Sequence, residues 1–338
     1  MKTLQRHSAA VVTLAGLAAA LLASYRPSAN SAPSTPAPTF VPPAWAYALG
    51  PVPAAPPPQY DTAPQLRLAG SSVELSEAQI HDLFAAPDWF PAAHSPMPEV
   101  VARGAKPAVF ACGYCHTPAG QGRPENAPLA GLPAAYIIAQ MADFRSGARA
   151  SGSPGPHLPT DLMIRTASAA SAEQVAAAAE YFSLQTLGRR VAVVERTRVP
   201  RTRPVGWVHA VEEGGGDEPL GERLLEVAPD MRRHELRDET LVYVAYVPRG
   251  SLARGRWFAR TGSARTPSCA SCHGPELRGG PEAPPIAGRS PSYLLRQLLA
   301  FRTGARGGPL ADRMRPVVGG LSLRDMIAAA AYAGVLPP

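Results

Sequence analysis

"ACGYCHTPAG" (residues 111–120) and "SCASCHGPEL" (residues 268–277) between them hold all four cysteines of the chain. Each stretch reads Cys-x-x-Cys-His, so two thiols and an imidazole recur as a unit and no thiol is left over. Three chemistries use such a unit. Four cysteines in an exported chain form two disulfides by default. Two thiolates and an imidazole are also good zinc ligands, but neither stretch supplies an identified fourth. The third chemistry is covalent haem c, in which two thiols add to the haem vinyl groups and the adjacent histidine becomes the proximal iron ligand. In a helical turn, cysteines at i and i+3 share one face. They can then reach two vinyl positions, with the histidine rising under the iron. Two matches that exhaust the cysteines favour this third reading. It assigns Cys112, Cys115 and His116 to one haem and Cys269, Cys272 and His273 to a second.

The two stretches belong to a longer internal repeat. A shift of 157 residues places the first motif on the second and "PLAG" (128–131) on "PIAG" (285–288). The same shift places Tyr136, Gln140, Phe144, Arg145, Gly147 and Arg149 on Tyr293, Gln297, Phe301, Arg302, Gly304 and Arg306. Further on the offset drops to 151, and Met163, Ser171 and Tyr181 meet Met314, Ser322 and Tyr332. Two copies at so long a period mean a duplicated small domain, not a solenoid. Each copy predicts a helix from Pro133 or Pro291, a Gly-rich loop with a methionine, and a last helix. "SAEQ" at Ser171 and "SLRD" at Ser322 are capping boxes for that last helix.

A second axial ligand has to come from outside the motif. Met163 and Met314 stand at equivalent places, each eight residues before the cap serine. A thioether opposite a histidine favours reduced iron and raises its potential, as an electron carrier needs. Met141 and Met326 fall within helical patterns and read as core. His157 competes for the first site, because it stands 41 residues after His116 just as Met314 stands 41 after His273. Counting back from the last helix selects Met163, and loop length varies more readily before a ligand than between ligand and cap. Met163 is therefore preferred, and His157 reads as an exposed loop histidine. His209 and His234 read as satisfied surface histidines. No triad, paired-carboxylate arrangement or phosphate loop is evident.

Outside the repeats the chain is uneven. Lys2 and Arg6 precede an uncharged apolar run that ends at Arg26, the pattern of an export signal. Nineteen residues between those arginines could also just span a bilayer as an uncleaved anchor. Residues 1–32 are thus a signal peptide or membrane anchor, and the protein is expected in the periplasm, either free or tethered to the inner membrane by the uncleaved segment. Ten prolines in residues 33–58 predict an extended spacer over 33–70. The first haem domain then covers 71–190, opening on the capped helix "LSEAQIHDLF". Residues 191–249, with "VAVVERTRV", "GWVHAV" and "TLVYVAYVP", predict a small β-rich connector. The second haem domain covers 250–338. A formal charge of +7 could suggest nucleic acid, but the arginines form no basic stripe interleaved with aromatics.

On "CGYCH", "PLAGLPAAYIIAQMADFRSGAR" and "DLM…SAEQVAAAAEYF", and on "CASCHG", "PPIAGRSPSYLLRQLLAFRTGAR" and "DRM…LSLRDMIAAAAYA", the chain resembles the dihaem class I c-type cytochromes of the c-four group. The resemblance covers roughly residues 96–190 and 250–338. It implies a mainly α fold of two cytochrome c class I domains, here with a β-rich connector and a Pro-rich N-terminal arm. It implies a proline carbonyl that accepts a hydrogen bond from each proximal histidine, by position Pro128 for His116 and Pro285 for His273. It also implies single-electron transfer with no enzymatic turnover. The redox partners would be proteins such as a periplasmic dehydrogenase, a quinol-oxidising complex or a terminal oxidase. The alternative is a dihaem enzyme of cytochrome c peroxidase type, which needs one open or displaceable haem position.

Overall fold

A computed structural model describes residues 40–50, 59–63, 65–281 and 283–338. The expected export segment and parts of the proline-rich arm lie outside the described residues. Within the arm, residues 40–50 depart from the expected spacer. Ala44–Tyr47 form a 3-10 turn, and Ala46 and Tyr47 are buried against Phe258, Leu299 and neighbouring apolar side chains. Burying an aromatic ring of this size outweighs the extended preference of the flanking prolines.

Strand β1 (Leu66–Arg67) pairs antiparallel with β2 (Glu74–Leu75), and α1 (Glu77–His81) follows behind the Ser76–Gln79 capping box. The first repeat then runs through α2 (Glu99–Ala102), α3 (Cys112–His116), α4 (Ala134–Ser146), α5 (Leu158–Ala169) and α6 (Ala172–Ser183). Gly147, with φ at 75°, closes α4 in the left-handed conformation that glycine adopts without strain. Ser171 and Gln174 cap α6 reciprocally. Val101, Ile137, Val175 and Phe182 form the core of this lobe.

The connector is larger than a linker. Strands β3 (Val191–Glu195), β4 (Arg198–Pro200), β5 (Thr202–Val205), β6 (Val208–Val211), β7 (Asp217–Pro219) and β8 (Leu225–Ala228) precede α7 (Met231–Glu235) and β9 (Tyr243–Val247). Five of them make a mixed sheet in the order β3-β9-β8-β6-β5, and β4 pairs separately with β7. All four residues of β8 are buried, and Val193 and Val247 join the core of the second lobe. Among the described residues the fold is therefore mixed rather than mainly α. The Val- and Tyr-rich segments bury a sheet against helices instead of bridging two helical domains.

The second repeat comprises α8 (Ser251–Thr261), α9 (Ala270–His273), α10 (Pro291–Thr303), α11 (Met314–Gly319) and α12 (Leu323–Val335). Glu226 of β8 pins the start of α10, accepting from the Ser290 hydroxyl at 2.7 Å and the Ser292 amide at 2.9 Å. Helices α8 and α12 cross at Gly255, where an added Cβ would lie 2.0 Å from the Ala328 carbonyl oxygen and 2.6 Å from Tyr332 Cβ. Backbone cannot yield as a side chain can, so Gly255→Ala is expected to cost about 3 kcal/mol. A thermal melt should show a midpoint lowered by several degrees. An unchanged midpoint would mean the crossing is looser than it looks. Among the described residues no helix is long and apolar enough to cross a membrane.

Candidate haem sites and the seam between the lobes

The first motif forms one helical turn, α3, whose geometry puts both cysteines and His116 at the head of a cleft. That cleft holds a cavity of about 170 Å3 and opens to solvent. Val100, Leu132, Ile137, Phe144 and Phe182 give it apolar walls, and Cys112, Cys115, His116, His157 and Met163 all line it. His116 Nδ1 lies 2.8 Å from the Ala127 carbonyl oxygen. A carbonyl can only accept, so Nδ1 carries the proton and Nε2 keeps its lone pair. Burial holds the ring below its usual pKa and hence neutral, the form that binds metal. Burial also pushes the Cys112 thiol up to about 12 and raises Cys115.

The second motif repeats the arrangement. His273 Nδ1 lies 2.8 Å from the Pro284 carbonyl oxygen, eleven residues on, as in the first copy. Cys269 and Met314 both pack against the cluster that includes Leu295, Leu299 and Met326. Burial pushes the Cys269 thiol up to about 11, whereas Cys272 is exposed.

The histidine acceptors are thus Ala127 and Pro284, one residue before the expected Pro128 and Pro285. The carbonyls of those two prolines are engaged by one side chain, Arg289. Its Nη1 donates to Pro128 at 2.7 Å and its Nε to Pro285 at 2.8 Å. His157 is likewise not an exposed loop residue. It is 7% exposed at the start of α5, and its Nδ1 lies 2.9 Å from Thr160 Oγ1. Tyr47 and Trp207 meet it edge-on at 5.8 and 5.3 Å between ring centres, and burial lowers its pKa to about 3. Trp207 reaches it from the tip of the β5–β6 hairpin, with φ at 74°, a conformation that costs a bulky residue strain. His157 and Met163 therefore share one cleft. Met141 and Met326 lie in or against core clusters, as expected.

The connector histidines are not surface residues either, His209 being half-buried and His234 buried. His209 Nε2 lies 2.9 Å from the Trp45 carbonyl oxygen. His234, 4% exposed, takes Arg123 Nη2 on Nε2 at 2.6 Å and meets the Tyr243 hydroxyl through Nδ1 at 3.1 Å. Burial first and the Arg123 charge second hold His234 well below its ordinary pKa. The unfolded chain then binds a proton near pH 6.5 that the folded chain refuses. Stability should fall as pH drops below 6.5, by about 1.4 kcal/mol per unit from this group. Melting curves between pH 7 and 5 should show a shallower acid limb in His234→Gln, and an identical limb would refute the assignment.

Residues paired by the repeat meet across the seam between the lobes. Arg149 donates to Gln140 at 2.7 Å in its own lobe, and to Gln297 at 2.9 Å and Tyr293 at 3.2 Å in the other. Arg306 mirrors it, donating to Gln297 at 2.9 Å, Gln140 at 2.8 Å and Tyr136 at 2.6 Å. Arg289 and Arg296 are buried in the same region, and Arg296 bonds the carbonyls of Ala46 and Pro124. Among the described residues none of these four arginines is ion-paired with a carboxylate. Four buried cations with no carboxylate in contact are costly unless anions join them, although Glu226 and Glu125 partly offset the Arg296 charge. Arg149 and Arg296 line the first cleft, so its donor set fits a flat apolar group that carries carboxylates, as haem does through its two propionates. The seam arginines, Tyr47 and Trp207 were not singled out as site residues in the sequence. Only the repeat pairing of Arg149 with Arg306 hinted at their place.

No protein-family profile matches the chain. It is 37% identical over 75 residues to the cytochrome c-554(548) of Halomonas halodenitrificans, 22% of this chain and 90% of that one. It is 29% identical over 232 residues to the thiosulfate dehydrogenase electron acceptor of Stutzerimonas stutzeri, 68% of this chain and 80% of that one. It is 26% identical over 225 residues to the cytochrome c4 of Azotobacter vinelandii, 65% and 82% respectively. The chain belongs to the class I c-type cytochromes. Within that class it is c-four-like, carries two covalently bound haem c groups and mediates electron transfer. The peroxidase alternative is not favoured by these relatives.

Proposed function

We propose that the chain is an exported, periplasmic electron carrier with no turnover of its own. It would accept single electrons from a dehydrogenase and pass them towards a terminal oxidase or exchange them with a quinol-oxidising complex. The thiosulfate dehydrogenase electron acceptor among its relatives makes an oxidiser of reduced sulfur the first donor to try. In this reading Cys112 and Cys115, and Cys269 and Cys272, form the thioethers. His116 and His273 are the proximal ligands, and Met163 and Met314 the distal ones. Bound haem c supplies the one-electron couple of its iron.

The chain's residues do the rest. Ala127 and Pro284 orient the imidazoles and make them stronger donors. The apolar walls exclude water, and the buried arginines hold carboxylates. The observation that carries the reading is the repeated histidine–carbonyl bond at the same eleven-residue spacing in both copies. The placement of His157 in the cleft of Met163 favours one variant, a first haem ligated by two histidines. The far-red methionine–iron band of the oxidised protein separates the two. Two haems' worth of band, halved in Met163→Leu and kept in His157→Leu, supports methionine. Half the band in the wild type, unchanged in Met163→Leu, supports His157.

A further inference from the structure

The two motifs match in sequence but differ in what covers them. In the first, Gly113 and Tyr114 between the cysteines are buried. The Ala111 amide donates to the Leu83 carbonyl at 2.9 Å, and a Cβ on Gly113 would meet Ala86 Cβ at 2.9 Å. From the connector, Arg237 lays its guanidinium over the Tyr114 ring at 3.6 Å and donates to the Tyr114 carbonyl at 3.0 Å. Trp89, 2% exposed, donates to the Leu236 carbonyl at 2.6 Å and fastens the N-terminal extension to the connector over this motif. In the second motif the equivalent of Tyr114 is the exposed Ser271, and Cys272 is exposed beside it.

Charge is just as uneven. Residues 250–338 hold twelve arginines and four carboxylates, a formal +8 of which Arg289, Arg296 and Arg306 lie buried in the seam, while the other 249 residues hold 21 basic and 22 acidic side chains. Arg256, Arg260, Arg265 and Arg278 are exposed and, among the described residues, not ion-paired. Arg265 and Arg278 bracket the open motif, and the Gly279 amide, bonded to the His273 carbonyl at 2.7 Å, turns the chain back beside it. Trp257 on α8 is 50% exposed between two of these arginines. Arginine and tryptophan are the side chains that most often anchor protein interfaces.

We propose that the rim of Cys272 in the second lobe is the face that docks the redox partner, and that this partner is an acidic protein. The extension and the connector close the equivalent face of the first motif. Electrons then enter and leave the chain at the second haem, and the first exchanges them through the seam. This rests on the electron-transfer function and deepens it by fixing port and partner.

The test uses the holoprotein. Tris-oxalatochromate(III), a trianionic paramagnetic probe, is titrated against the oxidised protein, and proton NMR signals are assigned to each haem through the side chains beside its motif. The second haem's signals should broaden first at low ionic strength, and the effect should vanish at about 0.5 M salt. In a kinetic arm, an acidic plastocyanin should exchange electrons about tenfold more slowly with the Arg265→Glu/Arg278→Glu variant than with wild type. Arg189→Glu on the first lobe should leave that rate unchanged. Equal broadening of both haems, first broadening of the first haem, or an unaffected rate in the double variant would overturn the proposal. Ferricyanide checks the underlying function separately. If it cannot oxidise either reduced haem reversibly, electron transfer itself fails; if it can, only the port is in question.

Discussion

Arg149→Met and Arg306→Met together are expected to destabilise the protein by more than the two single substitutions added. Each guanidinium is less than a tenth exposed and makes three side-chain hydrogen bonds, two of them across the seam. Gln140 Oε1 and Gln297 Oε1 each accept from both arginines. Losing one arginine therefore leaves both amides a donor, and only one tyrosine hydroxyl loses its partner. Losing both leaves two glutamines and two tyrosines without a charged donor in a buried seam. Repulsion acts the same way, since the nearby Arg306 charge, after burial, helps lower the pKa of Arg149. The first substitution relieves that repulsion and the second gains no such relief. A single change should cost about 3 kcal/mol. Denaturant titrations of wild type, both singles and the double complete the cycle. A double no worse than the sum would mean the arginines act independently.

Cys112→Ser with Cys115→Ser should lower covalent haem from two to one per chain, read as the mass of the intact protein. On the proposed assignment the change removes both thioether anchors and leaves His116, a side chain across the cleft, the apolar walls and the buried arginines to hold the group. The loss should spread beyond the site. Arg149 and Arg296 line that cleft and, among the described residues, form no ion pair with a carboxylate; Glu226 and Glu125 act on Arg296 only from beyond contact. Without the group's propionates their burial becomes a net cost. The melting midpoint of the variant should therefore fall further than that of Cys269→Ser with Cys272→Ser, where Cys272 is already exposed. Two haems still attached to the serine variant would sink the motif assignment. Equal midpoints would sink the role given to the arginines.

The repeat and its two motifs were legible because haem attachment fixes residue type and spacing within five positions. The capping boxes at Ser171 and Ser322 were legible for the same local reason. The histidine acceptors were misplaced by one residue because the hydrogen bond is made by backbone. A carbonyl has no sequence signature, and a proline nearby is only a landmark. His157 looked exposed because "GSPGPHLP" is turn-like, yet Tyr47 from the arm and Trp207 from the connector close over it. Neither cover can be foreseen without the tertiary fold. Arg149 and Arg306 were visible as a repeated pair, but no periodicity says that a repeated position meets its own counterpart.

That last meeting has a consequence for ancestry and assembly. Tyr136, Gln140 and Arg149 face Tyr293, Gln297 and Arg306, so the contact is isologous, the geometry of a C2 dimer. A single ancestral copy with this patch would have been self-complementary. Joining two such copies in one chain would turn a concentration-dependent pairing into an intramolecular one. Once the halves shared a chain, symmetry no longer had to be kept outside the patch. The connector and the N-terminal extension could then settle on one half alone, leaving two motifs alike in sequence and unequally covered.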